Sequence, residues 1–329
     1  PEPKPEEHDL DYAHVLGQHL VKRALEVAAA GGHNVLLSGS PGSGKSMMAK
    51  RFSSILPPLS HDERLDVIRV WSAVGRAQEA VERAERPFRA PHHSSSAAAL
   101  AGGSGSPGRL PLPGEITLAH RGVLFLDELP EFRRDALEVL RQPMEDGKLT
   151  IARAAGQVTY PADFQLIAAM NPCPCGWYGT NRCTCAKERV QQYLRRLSGP
   201  LLDRIDLHIE VAPVQYKDLE NDTPAERSAD IKKRVDAARQ IQSERYKDYN
   251  IFSNSQLTPA MLGIFCKLGP QERTIIQGAF DRLGLSARAY NRILKVSRTI
   301  ADLDGSENIQ AKHIAEAIQF RSLDRKFWN

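Results

Sequence analysis

The sequence lacks the features that mark membrane and secreted proteins. Its 329 residues contain no apolar run that approaches the length of a membrane span, and no signal peptide. No internal repeat or low-complexity tract is present, which argues against a repeat architecture. These absences predict a soluble, cytoplasmic protein. The sequence also does not begin with methionine: residues 1–8 are charged and proline-rich, which is typical of a linker remnant, and we expect a further domain upstream.

Composition and charge limit the classes of protein to which the chain can belong, but they do not select one. A chain of this length, with 41% hydrophobic residues, is long enough for about two domains with a sizeable core. The net charge of +4 is mildly basic, which is consistent with a nucleic-acid partner but does not establish one. Four of the five cysteines fall within residues 173–185, and such clustering favours a metal over a disulfide.

The strongest motif is the segment Gly39-Ser40-Pro41-Gly42-Ser43-Gly44-Lys45-Ser46, which fits the phosphate-loop pattern G-x-x-x-x-G-K-[ST]. The apolar stretch before it predicts a buried strand, and the residues after it predict the start of a helix. The glycines allow backbone N–H groups to face nucleotide phosphates. Lys45 can reach the β- and γ-phosphates of ATP, and Ser46 can bind Mg²⁺. A glycine-rich turn with a solvated lysine is the alternative.

Polar residues follow two further apolar segments. Residues 123–126 predict a buried parallel strand, and Asp127 and Glu128 come directly after it. We predict that Asp127 holds Mg²⁺ through water and that Glu128 polarises the attacking water; two exposed acids at a strand end are the alternative. Asn171 follows the apolar segment 164–170 and is predicted to orient the same water, although asparagine before proline also starts turns.

Two arginines are candidates for contacts with the γ-phosphate. Arg204 lies between two acids in the segment 201–206, and we predict an arginine finger that reaches the nucleotide of a neighbouring subunit. A surface ion pair is the alternative. Arg288 lies on one helical face with Arg292 and Lys295, at spacings of four and seven residues. This face predicts either a γ-phosphate sensor at Arg288 or a solvated basic stripe.

The order of apolar segments predicts an α/β domain followed by helices only. We expect residues 9–213 to form the phosphate-loop core with a parallel sheet, and residues 214–329 to form an all-α domain.

Several individual elements follow from the pattern. Residues 9–30 and residues 135–144 are each predicted as one helix. Residues 87–114 are rich in proline, glycine, serine and histidine and predict a long loop, and loops of that length are usually functional or mobile. Apolar segments on either side of residues 152–157 predict a β-hairpin with Arg153 near its tip.

Together these residues resemble the AAA+ ATPases, in which a phosphate loop, an Asp-Glu strand end, a sensor asparagine, an arginine finger and a helical lid recur. Four further stretches are similar to the magnesium-chelatase-related branch known as YifB or ComM. They are Val15-Leu16-Gly17-Gln18, Gly31-Gly32-His33-Asn34, Pro87-Phe88-Arg89-Ala90-Pro91-His92-His93 and Ser198-Gly199-Pro200-Leu201-Leu202-Asp203-Arg204. The resemblance covers roughly residues 9–323, and its motifs are specific in combination.

The resemblance implies an AAA+ P-loop core with a lid domain, assembled as a homo-hexameric ring whose pore moves single-stranded or branched DNA during natural transformation. It implies an N-terminal domain related to Lon-type proteases before Pro1, and inserts at 87–114 and at the hairpin. Basic hairpin residues such as Lys148 or Arg153 would then contact DNA phosphates independently of sequence. No aromatic residue lies at the hairpin tip to support base stacking. A purely structural hairpin is the alternative.

The cysteine insert follows Asn171 closely. Cys173, Cys175, Cys183 and Cys185 form a compact four-thiol set that suits tetrahedral Zn²⁺, with Gly176 and Gly179 allowing the chain to turn. The C-x-C spacing is tighter than the usual C-x-x-C, and free thiols or a disulfide remain the alternative. The adjacent His92 and His93 are not predicted to bind metal, and Cys266 is predicted to be a buried apolar residue.

Three functions are compatible with these features. The first is an ATP-hydrolysing DNA motor, a helicase or branch-migration translocase. The second is a magnesium-chelatase-like ATPase that remodels a protein partner or drives metal insertion. The third is the motor half of an ATP-dependent protease, although these residues contain no convincing serine-lysine protease site. Known magnesium-chelatase motors carry no such cysteine cluster, which argues against pigment synthesis. We favour the DNA motor.

Overall fold

The computed structural model describes residues 10–83, 85–103, 110–153, 156–213, 225–321 and 323. The predicted linker remnant at 1–8 lies outside these residues. The described strands form a parallel five-stranded sheet, in the order β2-β3-β6-β1-β7, and an antiparallel hairpin of β4 and β5. The strands are β1 (Val35–Gly39), β2 (Phe88–Arg89), β3 (Val123–Leu126), β4 (Lys148–Arg153), β5 (Gly156–Pro161), β6 (Gln165–Met170) and β7 (Leu207–Val211).

The α-helices fall into two groups along the chain. Up to β7 they are mostly short: α1 (His19–Gly31), α2 (Lys45–Arg51), α3 (His61–Ser72), α4 (Ala77–Glu82), α5 (Ala97–Ala101), α6 (Glu115–Leu118), α7 (Arg134–Glu138), α8 (Pro143–Asp146), α9 (Lys187–Leu194) and α10 (Gly199–Leu202). After β7 the described regular structure is helical only: α11 (Ser228–Arg245), α12 (Pro259–Phe265), α13 (Pro270–Leu283), α14 (Ala287–Leu303) and α15 (Ala311–Gln319).

The parallel sheet and the helices after β7 confirm the predicted α/β class with an all-helical C-terminal region. Strands β1, β3 and β6 are buried at every position, as expected for parallel strands covered on both faces. Among the described helices, none combines the length and the apolar character needed to cross a membrane.

The chain divides into two compact units. One is Pro58–Arg204, and the other combines Leu10–Pro57 with Ile205–Asn329. The second unit therefore groups the phosphate loop with the C-terminal helices. The domain boundary near residue 213 stays a prediction.

In the unit Pro58–Arg204, the position of the polar residues follows from strand register. Strands β3 and β6 pair in parallel, with Leu126 opposite Ala168. Because both strands run in the same direction, Asp127 and Asn171 leave the sheet at the same edge. Strand β2 pairs with the other side of β3, with Phe88 opposite Val123, so the chain that leaves β2 emerges at this edge too.

In the other unit, a buried carboxylate joins the sheet to helix α14. Asp206 is only 3% exposed and forms an ion pair with Arg292 of α14. Its Oδ2 accepts a 3.0 Å hydrogen bond from the backbone N–H of Asn34, directly before β1. His33 is also buried, and its Nε2 lies 2.7 Å from Thr299 Oγ1 on α14. Burial alone would raise the pKa of Asp206, but the charge of Arg292 and the contact with His33 lower it.

The predicted helix at 9–30 is wrong in its first half. The structure has a short 3-10 helix at Tyr12–His14, whose first turn is capped by the side chain of Asp11. Gly17 and Gln18 then adopt positive φ angles, and α1 begins only at His19. Because a residue in the left-handed region cannot continue a right-handed helix, this pair sets the start of α1.

The predicted helix at 135–144 is also wrong, because the structure has α7 and α8 in its place. Between α7 and α8 the backbone hydrogen bonds join residues three apart: Leu140 N–H donates to Leu137 O, and Arg141 N–H donates to Glu138 O. Pro143 has no N–H with which to continue the α-helical pattern, so it begins the second helix instead.

The Asp206–Arg292 ion pair predicts a large stability effect. We expect Asp206→Asn to lower the free energy of unfolding by about 3 kcal/mol, because it leaves a partly buried guanidinium without its charge partner. The effect is measured by urea unfolding of the wild type and the variant. Since the carboxyl pKa is lowered in the folded state, the difference should be full above about pH 4, the unfolded value, and should shrink as the pH falls below it.

Asp230→Asn provides the matched control. Asp230 pairs with Arg227 and Lys233 on the surface of α11, where solvent screens the interaction. We expect this variant to unfold close to the wild type. Equal stability of Asp206→Asn and wild type at neutral pH would contradict the role assigned to the buried pair.

Candidate nucleotide site and cysteine centre

The phosphate loop lies in the unit Leu10–Pro57 with Ile205–Asn329. It leaves the end of β1 at Gly39, which pairs with Val211 of β7. A Cβ atom at Gly39 would lie 2.5 Å from the carbonyl oxygen of Val211, so only glycine fits there. Gly42 and Gly44 have φ angles of 74° and 91°, and Gly44 is the N-cap of α2. The loop therefore has the backbone that sequence analysis predicted for a phosphate cradle.

Lys45 is the first residue of α2 and is only 7% exposed. Its Nζ donates to the carbonyl oxygens of Gly39 and Ser40, at 2.7 and 2.9 Å. The ammonium group therefore lies inside the phosphate loop, next to the two residues at which the loop begins. Ser46 follows on the first turn of α2, where the helix N-terminus favours an anion.

The acidic pair lies in the unit Pro58–Arg204, directly after β3. Glu128 has a φ of 53°, and its backbone N–H donates to Asp127 Oδ1 at 2.9 Å. The side chain of Glu128 is 53% exposed, and its Oε2 lies 2.9 Å from Nδ1 of His93. Glu128 thus lies in the left-handed region directly after Asp127, a conformation that is uncommon for a residue other than glycine.

His93 is the residue that sequence analysis missed, because the adjacent histidines were considered only as metal ligands. Its ring lies edge-on to Phe132, with centroids 6.5 Å apart, and stacks on His92 at 4.0 Å. The Nδ1 atom of this ring lies 2.9 Å from the carboxylate of Glu128. The order of the elements could have indicated this contact, because the histidines follow β2, and β2 pairs with β3, the strand that ends directly before Asp127.

Asn171 follows β6 at the same sheet edge as Asp127. Helix α9 packs beside it, and the backbone of Asn171 forms a hydrogen bond with the hydroxyl of Tyr193. Burial raises the pKa of Tyr193, and this hydrogen bond acts in the opposite direction. The main chain at the predicted sensor residue is therefore fixed by a buried tyrosine.

The two predicted γ-phosphate arginines differ in their surroundings. Arg204 has a side chain only 13% exposed, forms an ion pair with Glu145 and donates to the carbonyl oxygen of Pro200 at 2.6 Å. Arg288, in the other unit, is exposed on the first turn of α14. The two basic residues that share its predicted face have structural partners: Arg292 pairs with Asp206, and Lys295 donates to Ser255 O.

The hairpin confirms the predicted position of Arg153 and corrects that of Lys148. Arg153 pairs with Gly156 next to the turn, although its side chain is outside the described part of the chain. Lys148 is exposed but pairs with Pro161 at the opposite end of β4. Because a six-residue strand is about 17 Å long, Lys148 does not belong to the hairpin tip.

The four clustered cysteines converge as predicted. Their Sγ atoms all lie within 4.8 Å of one another, and those of Cys173, Cys175 and Cys183 are separated by 3.3, 3.7 and 3.9 Å. Four sulfurs about 2.3 Å from a tetrahedral Zn²⁺ would be about 3.8 Å apart, so the set fits such an ion. The separations are too long for a disulfide, and all four are free thiols, as is the buried Cys266.

The local backbone adjusts the acidity of these thiols. The N–H groups of Trp177 and Thr184 lower the pKa of Cys175 to about 6, whereas burial raises the pKa of Cys173. Because thiolates are the metal-binding form, the low pKa of Cys175 makes it the first thiol of the set available to a metal at neutral pH.

A glycine-lined phosphate loop after β1 and an Asp-Glu pair after β3, on a parallel sheet with a helical region behind it, define a P-loop ATPase of the AAA+ class. Family models support this assignment: that of magnesium chelatase, subunit ChlI, matches residues 11–219, and that of its C-terminal region matches residues 225–321. The chain belongs to the magnesium-chelatase-related YifB/ComM family of these ATPases.

Similar proteins place the chain within that family. It is 47% identical over 321 residues to YifB of Escherichia coli, and 46% identical over 317 residues to competence protein ComM of Haemophilus influenzae. Both matches cover at least 96% of this chain but only 61% of the relative, so the chain spans about three fifths of these proteins. The magnesium-chelatase 67 kDa subunit of Chlorobaculum parvum is 26% identical over 175 residues, which is 49% of this chain and 23% of that subunit.

The His93–Glu128 contact predicts a specific catalytic defect. We expect His93→Ala to lower kcat for ATP hydrolysis about tenfold with little change in KM, because Glu128 loses the group that orients its carboxylate. His93→Asn, which can donate a hydrogen bond from a similar position, should recover part of the rate. Steady-state ATPase assays measure both constants.

His92→Ala is the control for this prediction, since the Nδ1 atom of His92 lies 2.9 Å from Ser94 Oγ rather than beside a carboxylate. Its kcat should stay within about twofold of the wild type. If His93→Ala hydrolyses ATP at the rate of His92→Ala, His93 does not position Glu128.

Proposed function

We propose that the chain is the motor region of an ATP-driven DNA translocase, a helicase or branch-migration enzyme that acts in DNA recombination during natural transformation. The observation that carries the proposal is the 46% identity to competence protein ComM across 96% of the chain. The phosphate loop and the Asp-Glu strand end supply the ATPase chemistry that such a motor requires. A homo-hexameric ring in the cytoplasm, with DNA in its pore, belongs to the same proposal.

The proposed roles follow from residue type and local geometry. Gly39, Pro41, Gly42, Gly44 and Lys45 hold the nucleotide phosphates, with Lys45 on the β- and γ-phosphates. Ser46 and Asp127 hold Mg²⁺, which would neutralise charge on the phosphates when bound. Glu128 polarises water, and Asn171 orients it.

Arg204 and Arg288 complete the proposed site. Arg204 acts on the nucleotide of a neighbouring subunit, and Arg288 contacts the γ-phosphate from α14. In the structure Arg204 is paired with Glu145. When Arg204 moves to a nucleotide phosphate, it exchanges the carboxylate of Glu145 for another anionic partner. The ion pair with Glu145 therefore orients the guanidinium without holding it at the neighbouring site.

DNA contact is proposed for the hairpin of β4 and β5, with Arg153 at its tip as a phosphate contact. Lys148 is proposed only as a contact at the base of the hairpin, given its position opposite Pro161. Such contacts would be independent of base sequence and sensitive to salt.

A second candidate is an ATPase that remodels a protein partner or drives metal insertion. It is favoured by the match of the magnesium chelatase family model to residues 11–219 and by the similarity to the 67 kDa subunit. The two candidates share the hydrolytic site and differ in what stimulates it.

The test is ATPase activity with and without single-stranded or forked DNA, together with unwinding of a four-way junction. We expect DNA to stimulate the wild type several-fold, Lys45→Ala to lose nucleotide binding, and Glu128→Gln to bind ATP without turnover. Arg204→Ala should bind ATP normally and lose at least about 10³-fold in kcat, as expected for a finger acting between subunits.

Arg282→Ala serves as the control, because Arg282 is an exposed arginine on α13 that donates a hydrogen bond to Gly278 O within its own helix. Normal turnover in Arg204→Ala would remove the finger assignment. A wild-type chain that DNA neither binds nor stimulates, but that a protein partner does stimulate, would favour the second candidate.

We propose further that Cys173, Cys175, Cys183 and Cys185 hold one structural Zn²⁺. Metal analysis of the purified chain should give about one equivalent, and Cys183→Ser should lose most of it and melt at a lower temperature. Cys266→Ala is the matched control, since Cys266 is buried elsewhere and should leave the zinc content unchanged. Less than half an equivalent in the wild type, purified without chelator, would contradict the site.

A further inference from the structure

The segment 173–197, which contains the cysteine cluster and α9, carries a large positive charge for its length. It has five basic residues and one acidic residue, Glu188. Its formal charge of +4 therefore equals that of the whole chain, and the remaining residues are neutral overall. The basic residues are Arg182, Lys187, Arg189, Arg195 and Arg196. A zinc ion on four thiolates would add two negative charges, so a net positive charge would remain.

A cavity of about 320 Å³ opens at this segment, within the unit Pro58–Arg204. It is lined by Glu131, Pro174, Arg189, Gln192, Tyr193 and Arg196. Pro174 lies between two of the clustered cysteines, and the other lining residues except Glu131 belong to α9 or follow it. The cavity is therefore formed by the cysteine module on one side and the arginine-bearing helix on the other.

The two lining arginines are arranged differently. Arg196 is held by Glu131, with Nη1 to Oε2 at 2.8 Å, and also donates to Pro130 O. Arg189 is exposed, and the described contacts give it no carboxylate partner. Tyr193 is buried and forms the apolar wall between them. One guanidinium is thus fixed and the other can turn to a ligand anion.

An aromatic side chain lies on the same module. Trp177 follows the first two cysteines and is half-buried, and the guanidinium of Arg182 lies 5.0 Å from the centre of its ring. An indole ring with an arginine beside it offers a flat surface and a positive charge together. That combination stacks nucleobases and pairs with their phosphates.

We propose that this module is a binding site for single-stranded DNA, separate from the hairpin of β4 and β5. Arg189 contacts a phosphate at the cavity, next to the Arg196–Glu131 pair, and Trp177 stacks a base. The volume suits one nucleotide unit rather than a protein side chain, and the stacking surface favours nucleic acid over an acidic polypeptide. The inference rests on the proposed DNA-motor function and specifies a contact region for it.

The site has a direct structural link to the sheet edge that carries the acidic pair. Tyr193, which lines the cavity, hydrogen-bonds the backbone of Asn171. A strand seated against Tyr193 is therefore one hydrogen bond from the predicted sensor residue.

The test measures binding of the chain, with an ATP analogue present, to fluorescein-labelled single-stranded oligodeoxythymidylate by fluorescence anisotropy at several salt concentrations. Arg189→Glu should raise Kd at least about tenfold and reduce the slope of log Kd against log salt by about 0.7, the value for one phosphate contact on a single strand. Arg282→Glu, a charge reversal on an exposed arginine of α13, should leave both unchanged.

The stacking contact is tested separately. Trp177→Ala should raise Kd about tenfold with an unchanged salt slope, and Trp177→Tyr should restore most of the affinity because it keeps a flat ring. Zinc content and melting temperature equal to those of the wild type show that the variants are folded; if Trp177→Ala fails this check, Trp177→Tyr and Arg189→Glu decide.

The outcomes separate this inference from the proposed function. If the wild type binds the oligonucleotide and Arg189→Glu binds it equally well, the site is wrong and the DNA motor stands. If the wild type shows no binding, both fail. If polyglutamate competes as strongly as unlabelled oligonucleotide, the module recognises acidic polymers in general, and the assignment to DNA is overturned.

Discussion

A buried carboxylate, Asp206, determines how the part of the molecule that carries the phosphate loop is organised. It stands between β1, through the N–H of Asn34, and helix α14, through Arg292. Removing a charge from water costs several kcal/mol, so Asp206 is stable only with all of these partners in place. The strand that ends in the phosphate loop and the helix that begins near Arg288 are therefore fixed to one another. This is the physical reason why the phosphate loop and the C-terminal helices form one compact unit.

The residues of the predicted hydrolytic site depend on a second constraint, the common direction of parallel strands. Because β2, β3 and β6 all end at one edge, three separate stretches of sequence supply His93, the Asp127–Glu128 pair and Asn171 to that edge. Glu128 has a positive φ angle, and its carboxylate contacts His93. Few residues are needed, since the sheet itself does the positioning.

The cysteine module shows how an insertion can be attached to such a sheet without disturbing it. It begins directly after β6, and its four sulfur atoms converge within a few residues of chain. Its backbone N–H groups favour the thiolate of Cys175, and the following helix packs Tyr193 against Asn171. The module therefore adds a charged surface to the molecule, and Tyr193 and Arg196 contact the residues that follow β6 and β3.

Sequence patterns predicted the features that depend on local chemistry. The phosphate loop, the buried strands, the hairpin and the four-cysteine set all follow from residue types at short spacing, where glycine conformation, apolar runs and ligand number decide the outcome. The predicted helix at 9–30 was wrong because the positive φ angles at Gly17 and Gln18 interrupt it. A Gly-Gln pair does not by itself require that conformation.

Only the tertiary structure decided which residues far apart in the sequence come into contact. His93 meets Glu128, Arg204 meets Glu145, and Arg292 meets Asp206, at separations that no periodicity encodes. Each charged side chain had several possible partners in the sequence, and burial and strand order selected one. The sequence by itself thus determined which chemistry the chain carries, because that depends on residue identity. Folding determined which groups act together, because that depends on distance.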